Sequence, residues 1–401
     1  MTTFTVVIPA YNEEDGIQDI LRRVLSIREP LRGIGIPDLE ILVVDDGSAD
    51  QTVERAATVE GVELLRHPQN RGYGAALKTG FCRAKGDLIG FLDADGTYPP
   101  EHFPELCARA LEGADLVIGS RMAGAESKMP FTRRLGNFFF ANLLSVLARQ
   151  RVTDSASGMR VFRREIMAKI FPLPDGLNLT PVMSTRAIHE GVKMSEVPIP
   201  YEERLGRSKL SVVWDGSLFL QSMLWTVMTY NPVRILGILG LVGIGLSGVV
   251  AVGLLTARLQ GIVNLGPWGV AALFAAQLFA VAGISLFALG ATFNYLVSLF
   301  YRQPVRQGLL GRPLFHPPLE THFGWMGLTA GLAGLAIAIV SLALGLRGWP
   351  IERLWLYLLG GALSVLVGLQ LTIYWILIRV LGELSQREAL ANVDFASSVS
   401  S

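Results

Sequence analysis

Acidic residues follow apolar runs at several places in the first half of the chain. Asp93 and Asp95 come directly after the run Leu88–Leu92, and Asp45 and Asp46 end another such run. Two carboxylates one residue apart at the end of a strand can hold a divalent cation. Mg²⁺ typically takes one or two protein carboxylates and completes its shell with water and substrate phosphates. A metal-bridged diphosphate is a good leaving group. The pattern therefore predicts metal-assisted transfer of a group from a diphosphate.

Other motifs that bind phosphate or supply a nucleophile are not matched. The segment Gly72–Thr79 has Leu77 before Lys78, where a P-loop needs glycine. No Gly-x-Gly-x-x-Gly follows the first apolar run, which argues against a dinucleotide fold. The five histidines have no metal-ligand spacing, and no serine or cysteine elbow is present.

The elements that must position the carboxylates alternate in a regular way over the first 120 residues. Short apolar runs separated by helical segments predict an α/β fold with a parallel sheet. In such sheets, ligands bind beyond the carboxyl ends of the strands. The predicted strands are Phe4–Ile8, Leu39–Val44, Val62–Leu65, Asp87–Leu92 and Ala114–Ile118, and the predicted helices are Glu13–Arg28, Asp50–Val59, Tyr73–Ala84 and Pro100–Leu111.

The second half of the chain has a different composition. Residues 232–381 carry eight arginines, two glutamates and neither lysine nor aspartate. A membrane span needs about 20 apolar residues, and four uncharged segments reach that length. The predicted spans are 235–257, 268–298, 324–346 and 354–378. The net charge of +1 and this distribution argue against a nucleic-acid-binding module.

The residues before the first span predict a helix of another kind. Segment 210–231 has polar residues at helical spacing beside an apolar surface with two tryptophans, typical of a helix in the membrane interface. Three arginines, Arg302, Arg306 and Arg312, lie between the second and third spans, so the positive-inside rule puts that loop in the cytosol. With four spans, both termini are then cytosolic. The segment after 381 forms a cytosolic tail.

Four motifs in order resemble family 2 glycosyltransferases with the GT-A fold. They are Val7–Glu13, Val44–Ser48, Asn70–Gly74 and Asp93–Gly96. The resemblance covers residues 4 to about 210, so it implies a cytosolic GT-A domain over residues 1–209. We therefore expect an integral protein of the cell membrane whose catalytic domain faces the cytoplasm.

Later motifs narrow the resemblance. Gly119–Arg121, Asp154–Arg160 and Arg204–Lys209 look like those of dolichyl- or polyprenyl-phosphate hexose synthases, some of which carry four C-terminal spans. Processive polysaccharide synthases have Gln-x-x-Arg-Trp near the interface, whereas this chain has Leu224 before Trp225. The resemblance implies transfer of mannose or glucose from GDP-mannose or UDP-glucose to a polyprenyl or dolichyl phosphate, with Mg²⁺ or Mn²⁺ as cofactor.

The resemblance also assigns site residues. Asp93 and Asp95 match the metal motif and, with Arg121, are the expected catalytic residues. Thr97 stands where these synthases often have a glutamine metal ligand. The expected nucleotide-sugar site is Pro9, Ala10, Tyr11, Glu13, Asp45, Asp46 and Arg71, and the expected acceptor and diphosphate site is Arg121, Arg133, Arg134, Arg204 and Lys209.

Several alternatives stay open from the sequence alone. An enzyme of the same fold could use a lipid or glycan hydroxyl as acceptor, which would demand a base and therefore an extra carboxylate near the site. A role in lipid-sugar transport, or as a scaffold, is the other alternative. The sugar, the nucleotide and the formation of a homo-oligomer are also left open.

Overall fold

The structure is a computed structural model that describes residues 2–122, 131–148, 152–202, 212–262, 266–301 and 319–399. The chain divides into two compact units, Met1–Val227 and Met228–Ser401. The first unit carries the sheet and the second carries the long apolar helices.

One seven-stranded sheet organises the first unit, in the order β3-β2-β1-β4-β6-β5-β7. Strands β1 to β4 pair in parallel, as do β5 and β7, whereas β6 is antiparallel to both of its neighbours. The predicted α/β class with a mainly parallel sheet is confirmed. The strands are β1 Thr3–Ala10, β2 Asp38–Asp45, β3 Glu63–Arg66, β4 Leu88–Phe91, β5 Leu116–Ser120, β6 Arg160–Arg163 and β7 Met194–Pro198.

Helices cover both faces of this sheet, which is why its central strands read as continuous apolar runs. Alternate residues of β1 point to opposite faces. Val6 and Ile8 belong to one core with the first helix, and Val7 belongs to a second core with Phe81. The helices of the first unit are α1 Ile17–Ser26, α2 Arg28–Gly33, α3 Thr52–Ala57, α4 Tyr73–Arg83, α5 Phe103–Leu111, α6 Phe131–Ala148, α7 Met167–Ile170, α8 Leu179–His189 and α9 Val212–Tyr230.

The second unit consists mainly of four long helices, α10 Pro232–Leu259, α11 Pro267–Phe300, α12 Phe323–Leu346 and α13 Ile351–Val399. Among the described residues, four helical segments are long and apolar enough to span a bilayer, which agrees with the sequence prediction. Glycines let these helices approach closely. A Cβ on Gly240 would lie 2.6 Å from the Gly283 carbonyl oxygen, and one on Gly334 would lie 2.6 Å from that of Gly361. Gln277 Nε2 of α11 donates a hydrogen bond to the Leu359 carbonyl of α13 at 3.0 Å.

Candidate active site

A cavity of about 470 Å³ opens in the first unit at the carboxyl ends of β1 and β4. Residues from ten separate stretches of the sequence line it, and two helices close its far side. The lining includes Pro9, Ala10, Tyr11, Glu13, Asp46, Asn70, Gly72, Tyr73, Asp93, Asp95, Thr97, Tyr98, Arg121, Asn137, Phe140, Gly158, Thr180, Tyr201, Asp215 and Phe219.

The two carboxylates of the predicted metal motif both line this cavity. The Tyr73 hydroxyl donates a hydrogen bond to Asp93 Oδ1 at 2.8 Å. Burial raises the pKa of Tyr73, and the Asp93 charge raises it further, so this hydroxyl keeps its proton. The backbone N–H and the hydroxyl of Thr97 both donate to Asp95 Oδ1, at 3.1 and 2.6 Å. Each carboxylate is therefore oriented before any ligand arrives.

The donor set limits the kind of metal site that is feasible. Among the described residues, no three His, Cys, Asp or Glu side chains form a group that could hold a metal ion. Two carboxylates fit an ion whose other ligands are water and a substrate diphosphate, as is usual for Mg²⁺. Thr97, which stands where a glutamine ligand was expected, orients Asp95 through its hydroxyl.

The residues predicted to bind the nucleotide fall into two groups, those that line the cavity and those that lie outside its lining. Pro9, Ala10, Tyr11, Glu13 and Asp46 line the cavity. Asp45 is fully buried outside the cavity lining, accepts a hydrogen bond from the Ser48 N–H at 3.2 Å and lies 3.5 Å from Arg66 Nε. The Arg71 side chain is exposed and does not line the cavity either.

Asp46 lines the cavity and also anchors a loop at the edge of the cavity. It accepts hydrogen bonds from the backbone N–H groups of Arg71 and Gly72, at 2.9 and 2.8 Å. His67 is buried, with Nδ1 2.7 Å from Asp46 and Nε2 2.9 Å from the Thr79 hydroxyl. The sequence offered no spacing that would have singled out His67.

Arg121 is held in a rigid setting at the cavity wall. Its Nε and Nη2 donate to the Asp154 carboxylate at 2.7 and 2.8 Å, and its guanidinium lies 5.7 and 5.6 Å from the ring centroids of Tyr98 and Tyr201. Burial alone would raise the pKa of the Asp154 carboxyl, but the Arg121 charge and hydrogen bonds hold it below its ordinary value. Asp154 therefore stays ionised and bound to Arg121, so it is poorly suited to act as a base.

A second arginine, Arg160, is fully buried and had no role assigned from the sequence. Its donors go to neutral oxygens, the carbonyls of Ser157 and Ser155 and the hydroxyl of Ser184, at 2.8 to 3.0 Å. Burial lowers the pKa of Arg160 to about 10, so the guanidinium is still charged at neutral pH. Arg160 fixes the segment 155–158, which contributes Gly158 to the cavity.

Helices α6 and α9 form the far side of the cavity. Phe140 and Phe219 meet edge to face with ring centroids 6.0 Å apart, and Asn137 and Asp215 also line the cavity. Asn137 is buried, and neither of its amide atoms has a hydrogen-bond partner among the described residues. A buried amide in this state needs hydrogen-bond partners beyond the described residues. No sequence pattern pointed to this residue.

Four basic residues predicted for the acceptor stay predictions. Arg134 lies on α6 with its side chain exposed, outside the cavity lining. The side chain of Arg133, and all of Arg204 and Lys209, lie outside the described residues.

Comparison with known proteins agrees with this geometry. Residues 5–171 match the family described as glycosyl transferase family 2, and residues 232–392 match a domain of unknown function (DUF8752). A dolichyl-phosphate hexose transferase of Haloferax volcanii is 32% identical over 56% of this chain and 95% of its own length. An undecaprenyl-phosphate 4-deoxy-4-formamido-L-arabinose transferase of Aeromonas hydrophila is 30% identical over 74% of this chain and 89% of its own length.

Glucosyl-3-phosphoglycerate synthase of Mycobacterium tuberculosis matches with a TM-score of 0.47 and 21% identity, over 56% of this chain and 78% of that chain.

The mainly parallel sheet with an acidic edge is a GT-A-like glycosyltransferase fold, followed by candidate membrane helices. The chain belongs to glycosyltransferase family 2, and its relatives include proteins named as dolichyl- and undecaprenyl-phosphate sugar transferases. The family predicted from the motifs is thus confirmed, and the protein is a membrane-associated glycosyltransferase enzyme.

Proposed function

We propose that the protein transfers a hexose from GDP-mannose or UDP-glucose to a polyprenyl or dolichyl phosphate, with inversion at the anomeric carbon. The supporting observation is a single cavity lined by Asp93, Asp95 and Arg121 at the carboxyl ends of the strands. The names of the relatives support the acceptor class. One relative is named for an aminoarabinose derivative, so the donor assay must include more than mannose and glucose.

At the donor end, Asp95 and Asp93 would hold Mg²⁺ or Mn²⁺ bound to the diphosphate. A cation there neutralises the charge that develops on the leaving group. Pro9, Ala10, Tyr11, Glu13 and Asp46 line the space proposed for the nucleoside. Asp45 and Arg71 would act from outside the cavity lining.

At the acceptor end, the requirement is for cations and hydrogen-bond donors. A lipid monophosphate has a second pKa near 6, by analogy with phosphoamino acids, so it is largely ionised at neutral pH. Its oxygen attacks the anomeric carbon as the bond to the diphosphate breaks. Arg121 orients the acceptor, and the Asn137 amide, which has no hydrogen-bond partner in the described part of the chain, offers it further donors. Arg133, Arg134, Arg204 and Lys209 are proposed to bring the phosphate to the cavity.

One observation favours a second candidate function. Asp215 on α9 lines the cavity, so a carboxylate lies on the side proposed for the acceptor. A lipid or glycan hydroxyl would need such a base, whereas a lipid phosphate would not. Asp215→Asn should therefore preserve transfer to polyprenyl phosphate and abolish transfer to a hydroxyl acceptor, as measured with both acceptors and one donor.

The membrane arrangement is part of the proposal. The catalytic domain, residues 1–209, and the C-terminal tail lie in the cytosol, and α9 lies in the membrane interface. The three arginines between the second and third spans support this orientation.

The test of the main proposal is a product assay. Membranes containing the protein are incubated with polyprenyl phosphate, Mg²⁺ or Mn²⁺ and each of a panel of labelled nucleotide sugars. We expect a labelled lipid that is released by mild acid. Failure with every donor would contradict the proposal.

The matched variant is Asp95→Asn, with Asp19→Asn on the exposed face of α1 as control. Because Asp95 is the proposed ligand to the diphosphate-bound ion, we expect transfer to fall below detection while expression and membrane insertion stay normal. The control should keep full activity. Wild-type activity in Asp95→Asn would contradict the metal assignment.

A further inference from the structure

Strand β7 is the last strand in the sheet order, and its register with β5 places Glu196 opposite Ile118. The Glu196 side chain is half-buried and lies outside the cavity lining. Its carboxylate accepts hydrogen bonds from the Thr153 N–H at 2.8 Å, the Thr153 hydroxyl at 2.6 Å and the Asp154 N–H at 3.3 Å. A charge on such a strand often serves only to discourage pairing with another chain. This carboxylate is bonded instead to the start of the loop that contributes Gly158 to the cavity.

A chain of hydroxyl groups extends this contact to the end of β5. Thr153 Oγ1 lies 2.7 Å from Ser120 Oγ. Because the Thr153 hydroxyl donates to the Glu196 carboxylate, which as an ionised group only accepts, the Ser120 hydroxyl donates to Thr153. The Ser120 oxygen then accepts the N–H of Met122 at 3.3 Å. Glu196 therefore fixes the direction of the hydrogen bonds that hold the residues on either side of Arg121.

A second branch of the network reaches the partner of Arg121. Asp154 follows Thr153 directly, and its carboxylate accepts from the Arg121 backbone N–H at 3.1 Å as well as from the guanidinium. Glu196 holds the same residue by its backbone N–H. Ser120 and Asp154 are both fully buried, and a buried polar network is costly to leave partly satisfied. Arg121 is thus held from two sides, and both sides depend on Glu196.

We propose that Glu196 is a positioning residue for Arg121. It acts through Thr153 and Asp154, and it determines where the Arg121 guanidinium lies at the cavity wall. The effect on transfer rests on the proposed function, in which Arg121 orients the acceptor phosphate. The position of Arg121 does not rest on that function. Loss of the Glu196 carboxylate should therefore weaken use of the acceptor and leave binding of the donor unchanged.

The test compares Glu196→Ala with Glu40→Ala in the full chain. Glu40 is a matched control, because its carboxylate also accepts from a threonine hydroxyl and a backbone N–H, those of Thr5 at 2.6 Å and Lys85 at 2.9 Å. It lies on β2 opposite Thr5 and outside the cavity lining. Its loss removes a similar set of hydrogen bonds that does not include Arg121.

The first readout is steady-state kinetics with polyprenyl phosphate and the nucleotide sugar that gives product. In Glu196→Ala we expect the KM for polyprenyl phosphate to rise about tenfold, which corresponds to the loss of one hydrogen bond to a charged group. The KM for the nucleotide sugar should not change. Glu40→Ala should alter neither KM, although both variants should lower the melting temperature. An unchanged acceptor KM in Glu196→Ala, an equal rise in both of its KM values, or the same kinetics in the two variants would overturn the proposal.

Variants of Thr153 test the hydroxyl chain if Glu196→Ala does not fold. Thr153→Val removes the hydroxyl that joins Ser120 to Glu196, and Thr153→Ser retains it. We expect Thr153→Val to raise the acceptor KM and Thr153→Ser to keep the wild-type value. Wild-type kinetics in Thr153→Val would overturn the role of the chain.

The second readout does not need enzymatic activity. Phenylglyoxal modifies arginine, and the Arg121 side chain is only 12% exposed. Mass spectrometry of the protein in detergent should show several-fold faster modification of Arg121 in Glu196→Ala than in the native protein or in Glu40→Ala, because a loosened Asp154 leaves the guanidinium accessible. Equal rates in all three proteins would overturn the positioning role. If the native protein forms no product with any donor, the proposed function fails, and this readout still decides what holds Arg121.

Discussion

Arg121 and Asp154 form a closed ion pair at the wall of the cavity. Removing one partner of a buried pair leaves the other charge without compensation, which costs about 3–5 kcal/mol. We expect Asp154→Asn to lower the melting temperature strongly and to abolish transfer, because Arg121 loses its bidentate partner. Asp15→Asn, at a carboxylate that is 87% exposed, is the control. Thermal unfolding in detergent and the product assay together measure both effects, and an unchanged melting temperature would contradict the argument.

The Arg121–Asp154 pair also contributes to how the stability of the protein depends on pH. The pKa of Asp154 is held below its ordinary value in the folded protein. Its contribution to stability is therefore present above the unfolded-state pKa, near 4, and is lost only as the pH falls through the lower folded-state value. Asp154 does not titrate between pH 5 and 8.

A fall in activity on the acid side should therefore come from the substrate. We expect kcat/KM to decrease below about pH 6, where the acceptor phosphate gains a proton. A phosphonate analogue of the acceptor has a higher second pKa, so the decrease should begin at higher pH with that analogue. An acid limb that stays at the same pH for both acceptors would assign it to the protein.

At the scale of elements, the loop before α4 is packed without space for a side chain. Gly72 has a φ of +104°, and a Cβ there would lie 2.5 Å from the Asp175 carbonyl oxygen. We expect Gly72→Ala to cost about 1–3 kcal/mol and to raise the KM for the nucleotide sugar, because the loop that Asp46 anchors must move. Donor kinetics and thermal unfolding measure the two effects.

Gly33 offers the matched control for that substitution. A Cβ at Gly33, in α2, meets nothing within 4 Å. Gly33→Ala should be neutral or slightly stabilising. Equal effects of the two substitutions on stability and on the KM would show that the close packing at Gly72 does not cause the effect of Gly72→Ala.

Some elements could be predicted from the sequence, and others could not. Strands β1, β2 and β4 are apolar runs that lead into polar residues. The local pattern therefore predicted these strands, and it also predicted that their carboxyl ends lie at one edge of the sheet. Strand β6 is only Arg160–Arg163, and its place between β4 and β5 depends on pairing with residues far away in the chain. Helix α6 was not predicted from the sequence. Its role comes from its contacts with α9 and with the cavity, which local pattern does not show.

The same distinction holds for the site. Asp93 and Asp95, which both line the cavity, could be proposed from the sequence because a carboxylate pair after a strand is a local signal. His67, Asn137 and Arg160 were missed because their roles come from tertiary neighbours. Asp45 and Asp46 look equivalent in sequence, yet only Asp46 lines the cavity.

At the scale of the whole molecule, the native cysteines can be used to determine on which side of the membrane the catalytic unit lies. Cys82 lies exposed in the catalytic unit, and Cys107 is buried. If that unit is cytosolic, a membrane-impermeant thiol reagent should label Cys82 in inverted vesicles and not in intact cells. Cys82→Ser, which should remain unlabelled in both preparations, is the control. Labelling of the native protein in intact cells would place the catalytic unit outside.

The hydrogen bonds of Asp46 bear on how donor preference could be altered. The loop at Arg71 and Gly72 is tied to this carboxylate, which His67 in turn holds against α4 through Thr79. Exchanging the loop alone with that of a relative would separate it from its anchor. Because the proposed function gives Arg71 a part in nucleotide binding, a swap of nucleotide selectivity would have to transplant together the end of β2, the residue after β3, the loop and α4 as far as Thr79.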